Sequence, residues 1–550
     1  MLRGLSIRLS MTVCVPNGSK HPIICRTSIV AHMHETREVG SGSPHSRVRE
    51  LNHLPINPDG EFVLYWMTAC RRFHHNAALE RCIQIAVEMG KPVLVVEPAS
   101  IRHKWSSDRI LTFLAQGMVD NLAIFEFHGI SYLPWIETHK EPGDGLLRNL
   151  SRKSCAVVVD DYPTYLPKFV MDRARETCSV RLEAVDSNGI IPMSWAEDAH
   201  LTAYSYRKHV QRSLVDAMFS IPKYNPMDSI KENLMVNPSY LESLFSSIGV
   251  EITPYEWLWR LAQGGEIGVE ACSPLDIDHS VGPVESMRGG RFEALIRFEK
   301  FLQGGLDRYD TGRNDTDDPA TSGLSPWIHF GHISSFEIVL AVLDKANWDI
   351  GMISFEDTGR GSRSGWWGLP EAYEGFLDQI ITWRELGFNF AHYREDHNSI
   401  HSIPAWAKKS LNYHANDERL AYTFEEIEQA MTDDEVWNAA QRQLLRTGHI
   451  HNYLRMVWGK RILEWAPNPE TAAEWMIIIN DKWALDGRDP NSYTGIFWVL
   501  GRHDRAWGPE RPIFGKVRYM SSSNTKKKLR LDNYLAKWAE DAPIPKSTIR

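Results

Sequence analysis

Four stretches in the second half of this chain carry residues whose types and spacing could do chemistry. NDKWALDGRDPNSYTGIFW, from Asn480 to Trp498, sets Trp483, Tyr493 and Trp498 among Asp481, Asp486 and Asp489, with Lys482 and Arg488, beside an apolar run. It raises the question of what chemistry needs flat aromatic surface and charge in one place. TSGLSPWIHFGHIS, residues 321–334, opens with small hydroxyl residues and glycine ahead of an amphipathic helix. Free backbone N–H groups and hydroxyls there can hold a phosphate, although a plain N-cap with Ser325 before Pro326 explains the same residues. LRTGHIHNYLRMVWGKRILEW, residues 445–465, reads as a helix carrying Arg455, Met456, Trp458 and Trp465, its two indoles seven residues apart. That spacing puts them about 10 Å apart on one face, where a core stripe is the alternative use. Finally, residues 511–537 hold eight basic side chains against Asp532 alone, a local charge of +7. Such a block can neutralise phosphates, or can be no more than a solvated face.

These stretches need elements to position them. From residue 61, the β-branched runs 62–67, 91–97, 121–127, 154–161 and 180–186 alternate with helical stretches such as NAALERCIQIAVEMG, in which Ala78, Cys82, Ile85 and Val87 repeat at helical spacing. Continuous apolar strands joined by amphipathic helices predict a parallel sheet covered on both faces, with any ligand at the carboxyl ends of its strands. No G-x-G-x-x-G follows the first strand, so dinucleotide binding there is unsupported. Beyond about residue 205 the β-branched runs stop, and helices are predicted over 291–307, 334–346, 371–393, 424–447, 450–465 and 470–485. No repeat of fixed period is visible, which argues against a solenoid.

Composition narrows the function classes. A chain of 550 residues is long enough for two large domains. No apolar run approaches the ~20 residues needed to span a bilayer, so a soluble protein is expected. With a net charge of only −9, affinity for an anionic partner must come from a local patch. Cys14, Cys25, Cys70, Cys82, Cys155, Cys178 and Cys272 are odd in number and form no C-x-x-C pair, which suggests a reducing compartment and no zinc. Of 20 tryptophans, 14 lie between Trp327 and Trp538. Residues 1–58 look like a separate piece. Arg3, Arg8, Lys20 and Arg26 precede the first acid, Glu35, which faintly resembles a transit peptide. Met11 and Met33 as alternative starts and the linker-like GSGSPHS favour a disordered or mis-annotated extension.

The motifs occur together and in a set order. RYDTGRND, TSGLSPWIHFGHIS, FLDQIITWREL, DDEVWNAAQRQLLRTGHIHNYLRMVWGKRILEW, NDKWALDGRDPNSYTGIFW, GRHDRAW and FGKVRYM together resemble the photolyase/cryptochrome family, most like its class II cyclobutane pyrimidine dimer photolyases. The resemblance covers about residues 60 to 535; LDGRDPN and GK-x-RYM are its most specific parts. It implies an α/β Rossmann-like antenna domain with a parallel sheet (59–205), a connector (206–255), an all-α FAD-binding catalytic domain (256–535) and a C-terminal tail (536–550). The aromatics and charges would then surround a flavin and a flipped-out base lesion.

Carried over residue by residue, the resemblance places Tyr309, Thr321, Ser322, Gly323, Leu324, Ser325, Arg455, Asn480, Asp486 and Arg488 on FAD, with Arg455 and Asp486 an ion pair beside the ring system. Asn480 would face flavin N5, where an amide can donate or accept as N5 changes protonation while a carboxylate would repel the reduced anion; a helix C-cap is its structural alternative. Trp458, then Trp437, then Trp465 would relay an electron to the flavin. Trp383 and Trp498 would wall the lesion pocket, Met456 would touch the dimer, and Arg313, Lys516, Arg518, Lys526 and Lys527 would contact DNA. A second antenna chromophore is possible within the family. The resemblance further implies a monomer with DNA containing pyrimidine dimers as its partner and no membrane. Its compartment would be the cytoplasm of a prokaryote or the nucleus or an organelle of a eukaryote, without secretion.

One position departs from the family. Class II enzymes carry glutamate four residues before the pocket tryptophan, where FLDQIITW has Gln379. Asp378 is adjacent but on a helix points about 100° away. Glutamine can donate a hydrogen bond but cannot supply a proton, so weaker repair, or a cryptochrome-like photoreceptor without repair, is the alternative.

Overall fold

The computed structural model describes residues 45–138, 145–228 and 230–543, together with strands β1 (Thr12–Cys14) and β2 (Ile23–Cys25), which pair antiparallel. The remaining residues of the 1–58 extension and of the 536–550 tail lie outside the described residues. An N-terminal sheet is built from β3 (Val48–Glu50), β4 (Phe62–Trp66), β5 (Val93–Ala99), β6 (Ser131–Ile136), β7 (Ser154–Asp160) and β8 (Arg181–Val185), in the order β3-β8-β7-β4-β5-β6. Neighbours from β8 to β6 run parallel, and β3 closes the edge antiparallel to β8. Every residue of β4 and β7 is buried, as the uninterrupted apolar runs require of a sheet covered on both faces.

Four expectations are corrected. The run NLAIFEF, 121–127, is not a strand but the last two turns of the helix Asp108–Phe127. Asn121, Ile124 and Phe125 are buried while Ala123, Glu126 and Phe127 are exposed, a helical period. The chain breaks only at His128–Gly129, and the strand follows as SYLPWI. This helix also reaches the length and apolarity of a membrane span, which the absence of such runs was meant to exclude, but 72 % of its apolar window is buried inside the protein. The boundary at residue 58 falls too late: β3 is a sheet strand, Leu51 joins the core, and buried Arg47 donates to the carbonyls of Asp186, Gly189, Ile190 and Ser220. The predicted helix 424–447 is two helices, Phe424–Glu428 and Glu435–Thr447, each restarted by its own N-cap, Thr423 and Asp434.

The second half is helical, and side chains from the sheet domain clamp it. Arg109 reaches across to the carbonyls of Trp483 (2.5 Å) and Leu445 (2.7 Å), at the C-terminal ends of the helices Pro469–Trp483 and Glu435–Thr447. A buried cation is favoured there by both helix dipoles. Tyr162, just beyond β7, donates to Asp489 at 2.9 Å, and Glu385 accepts the backbone N–H groups of Ile190 and Ile191. The elements bearing the chemical motifs are thereby fixed against a rigid sheet.

Candidate functional site

The helix Pro469–Trp483 ends where Ala484 turns extended, and Gly487 must then pass close to it: a Cβ on Gly487 would meet the Asn480 carbonyl oxygen at 2.6 Å. Arg488 completes the turn in the left-handed region at φ 65°, a conformation costing a non-glycine residue about 1 kcal/mol or more. Its backbone N–H donates to Asp481 at 2.9 Å, and its guanidinium donates to the carbonyls of Asp481, Ala484 and Leu485. Arg488, expected on the cofactor, thus donates to carbonyls at the end of a helix, one of which, that of Ala484, also accepts the Gly487 N–H.

This strained turn presents Asp486 to Arg455 of the helix Asn452–Trp465, 3.3 Å away. Burial works to raise the Asp486 carboxyl, but Arg455, His449, the Ser325 hydroxyl and His329 outweigh it and hold it down at about 2. His449, in the loop before the Asn452 helix, is held neutral by burial, down at about 4, and its shielded Nδ1 has no protein partner among the described residues. Sequence reasoning missed His449; its only signal was a histidine beside the RM-x-W stretch. Asn480 is buried inside its helix with its amide nitrogen 3.1 Å from Asp481, so it is not the C-cap, which is Ala484. Because the folded value of Asp486 lies below the unfolded value of about 3.9, its stabilisation is complete above about pH 4 and is lost as pH falls through about 2. Arg455→Ala should therefore destabilise the protein by about 2 to 3 kcal/mol at neutral pH and flatten the acid side of its stability profile. Urea unfolding across this range checks both; an unchanged acid limb would show that Arg455 does not hold the carboxylate.

Before the short helix Ser325–His329, the backbone N–H groups of Thr321, Ser322, Gly323, Leu324 and Ser325 meet no protein acceptor among the described residues, and Gly323 is left-handed at φ 62°. Ser325 thus faces Asp486 through its hydroxyl while the loop keeps its donors open. Tyr309 is buried against Phe301 and Phe376, with Arg313 lying 5.7 Å over its ring. Arg313, expected on DNA, is half-buried and tied to this tyrosine.

Gln379 and Trp383 lie on a π-helical turn, Asp378–Trp383, within an otherwise α-helical run from Glu371 to Tyr393. Such turns concentrate at functional sites. Asp378 is taken by Arg207 in a bidentate pair at 2.8 and 3.0 Å, whereas the half-buried Gln379 amide makes no hydrogen bond within the described protein. Trp383 and Trp498 stack face to face, centroids 4.6 Å apart and planes 13° from parallel, so no base fits between them and only their outer faces and edges can meet a ligand. Trp498 sits on the helix Pro490–Val499, started by Asp489, and its shielded Nε1 has no partner among the described residues. Met456 is half-buried in the same domain.

Trp458, Trp437 and Trp465 lie near one another in the helical domain. The Trp437 indole donates to the Trp458 carbonyl at 2.9 Å and meets Trp465 edge-on, with centroids 5.2 Å apart. Trp458 itself donates to Gln441 at 2.8 Å. In the basic segment, Arg518 and Lys527 are exposed, Lys526 pairs with Glu435 at 2.7 Å and Lys516 lies 3.7 Å from Glu510. Arg505 and Arg518 both lie over the Trp507 ring, at 4.8 and 5.1 Å.

An α/β sheet domain is thus clamped to a helical domain that carries a buried ion pair, a donor-rich loop and two stacked indoles. Over 491 residues the chain is 33 % identical to a deoxyribodipyrimidine photo-lyase of Methanothermobacter thermautotrophicus, covering 89 % of this chain and 97 % of that one. A protein of the same name from Potorous tridactylus is 36 % identical over 88 % of this chain and 82 % of its own, and one from Arabidopsis thaliana 30 % identical over 86 % and 88 %. A class III photolyase from Agrobacterium tumefaciens shares the fold with a TM-score of 0.53 at 17 % identity, covering 87 % of this chain and 86 % of its own. No family model matches the chain. The chain belongs to the photolyase family.

Proposed function

We propose that this protein is a class II-like photolyase that splits cyclobutane pyrimidine dimers in DNA under blue light with FAD as its cofactor. The observation that carries the reading is the stacked Trp383–Trp498 pair in the same domain as the Asp486–Arg455 pair and the open N–H groups of residues 321–325. The residues present fit FAD: the loop offers donors for a pyrophosphate, Asp486 and Arg455 offer a fixed dipole to a polar ring edge, and the orphaned His449 Nδ1 offers one more hydrogen bond. When bound, the cofactor supplies light-driven one-electron chemistry.

The rest is the work of the chain. Asn480, with its amide nitrogen turned to Asp481, would hold a ring nitrogen without adding charge. The indole pair would stack an extruded base on an outer ring face, a contact favouring the flipped state by about 1 to 3 kcal/mol. Gln379 would donate one hydrogen bond to a pyrimidine carbonyl. Trp458, Trp437 and Trp465 would relay electrons inward. Arg518 and Lys527, exposed and without a salt bridge among the described residues, would hold phosphates. Arg518→Ala should weaken lesion-DNA binding and lower the slope of log affinity against log salt by about 1. A fluorescence titration at several salt concentrations reads this directly, and an unchanged slope would reduce the segment to a solvated face.

Gln379 favours a second reading, a blue-light photoreceptor that keeps the flavin and tryptophans without repair. The decisive test is a repair assay with flavin-reduced protein and a dimer-containing oligonucleotide, under blue light and in darkness. Intact thymines recovered only in light support the enzyme; none in either condition supports the receptor.

A further inference from the structure

A buried lysine joins two helices that carry the proposed site. Lys460 lies just beyond Trp458 on the helix Asn452–Trp465 and is 0 % exposed. Its Nζ donates to the carbonyl of Val499 at 2.5 Å. Val499 ends the helix Pro490–Val499 and directly follows Trp498. The carbonyls of Phe497 and Trp498 accept backbone N–H groups of Leu500, Gly501 and Arg502, whereas that of Val499 meets no backbone donor among the described residues. The lysine thus satisfies an acceptor that the helix end leaves open. Gly459 brings the two helices close enough for this: a Cβ there would meet Val499 Cγ2 at 2.5 Å and Met476 Sδ at 3.1 Å. A glycine inside a helix and a buried amine are both costly ways to pack two helices, and an apolar chain of similar length would fill the space without desolvating a cation. What the amine adds over such a chain is a directed bond to the peptide next to Trp498. Because the same helix bears Arg455, Met456 and Trp458, that bond ties the Trp498 ring to the element lining the proposed cofactor site.

We propose that Lys460 is a positioning residue for lesion recognition, holding Trp498 in a fixed place relative to the helix of Arg455 and Trp458 so that its outer face meets an extruded base in one orientation. The inference rests on the proposed function. Burial holds the Lys460 amine down at about 7; of the charged groups that face it among the described residues, Asp504 raises it and Arg518 lowers it further. The C-terminal end of the helix Pro490–Val499 also favours a cation. As an ammonium the group makes a charge-assisted bond to the Val499 carbonyl, and as an amine a weaker one. Trp498 is therefore held more firmly below about pH 7 than above it.

The test is binding of FAD-loaded protein to a dimer-containing duplex and to the same duplex undamaged, at pH values on both sides of the Lys460 titration, for wild type, Lys460→Met, Trp498→Ala and the double variant. Lys460→Met should keep FAD content and affinity for undamaged DNA and lose roughly five- to ten-fold in affinity for the dimer. Wild-type preference for the dimer should fall as pH rises through about 7, and the variant should show no such slope. In the Trp498→Ala background Lys460→Met should cost nothing further, because a residue that acts through Trp498 then has nothing left to hold. A lysine that only stabilised the fold would lower affinity equally in both backgrounds. Equal losses in the two backgrounds, or a wild-type preference and pH slope in Lys460→Met, overturn the assignment. Should that variant fail to hold FAD, Lys460→Gln, neutral but able to donate, takes its place and should keep part of the preference without the slope. A wild-type preference that does not change with pH overturns the assignment by itself. A wild type with no preference for dimer-containing DNA is a separate failure: the proposed function falls first, and this role with it.

Discussion

Replacing Trp458 with phenylalanine should abolish light-driven reduction of the oxidised cofactor while leaving FAD bound and repair by chemically reduced protein intact. Trp458 is 4 % exposed and its indole nitrogen is held by Gln441, so the ring is fixed rather than free to be replaced by a neighbour. The variant loses that hydrogen bond and leaves the Gln441 carbonyl unpaired, which costs about 1 to 3 kcal/mol. The Asp486–Arg455 pair and the 321–325 loop are untouched, so cofactor content should hold. Bleaching of the flavin absorption under blue light with a thiol present is the measurement, and photoreduction at the wild-type rate would sink the path. Because the reduced cofactor needs no relay, a fall in repair by pre-reduced variant would mean that Trp458 also supports the lesion pocket.

Gln379→Glu, which supplies the carboxyl group that the class II resemblance implies at this position, should raise repair per photon with little change in lesion affinity. Asp378 cannot stand in for it, being locked to Arg207 in a buried bidentate pair. The Gln379 amide is free to donate one hydrogen bond, which suffices for binding. As negative charge builds on the pyrimidine, however, a neutral amide stabilises it less than a group able to deliver a proton. A charge-assisted bond gains about 1 kcal/mol over a neutral one, so a several-fold rise, roughly two- to five-fold, is expected. Yield from actinometry and affinity from titration separate the two effects. An unchanged yield from an already efficient protein would mean that another group donates, and no repair by either form would move the reading to the photoreceptor.

What the sequence by itself determined was local. Continuous β-branched runs announced buried parallel strands, since only a sheet covered on both faces tolerates them, and LDGRDPN, TSGLS and the order of the tryptophans marked where the chemistry lies. A short apolar run is ambiguous on its own: NLAIFEF satisfied both periods, and only its continuity with the preceding helix decided against a strand. Whatever depends on partners distant in sequence was decided by the tertiary structure. Arg488 and Asp486 sit two residues apart in one motif, yet one caps a helix and the other meets Arg455, because the turn at Gly487 sends their side chains different ways. Asp378 and Gln379 are neighbours, but Arg207, 171 positions away from Asp378, takes the first and leaves the second without a hydrogen-bond partner among the described residues. Trp383 and Trp498, 115 positions apart, stack only when their two helical segments pack. Side-chain charge and shape are written in the sequence, whereas which charge is already satisfied depends on contacts that exist only after folding.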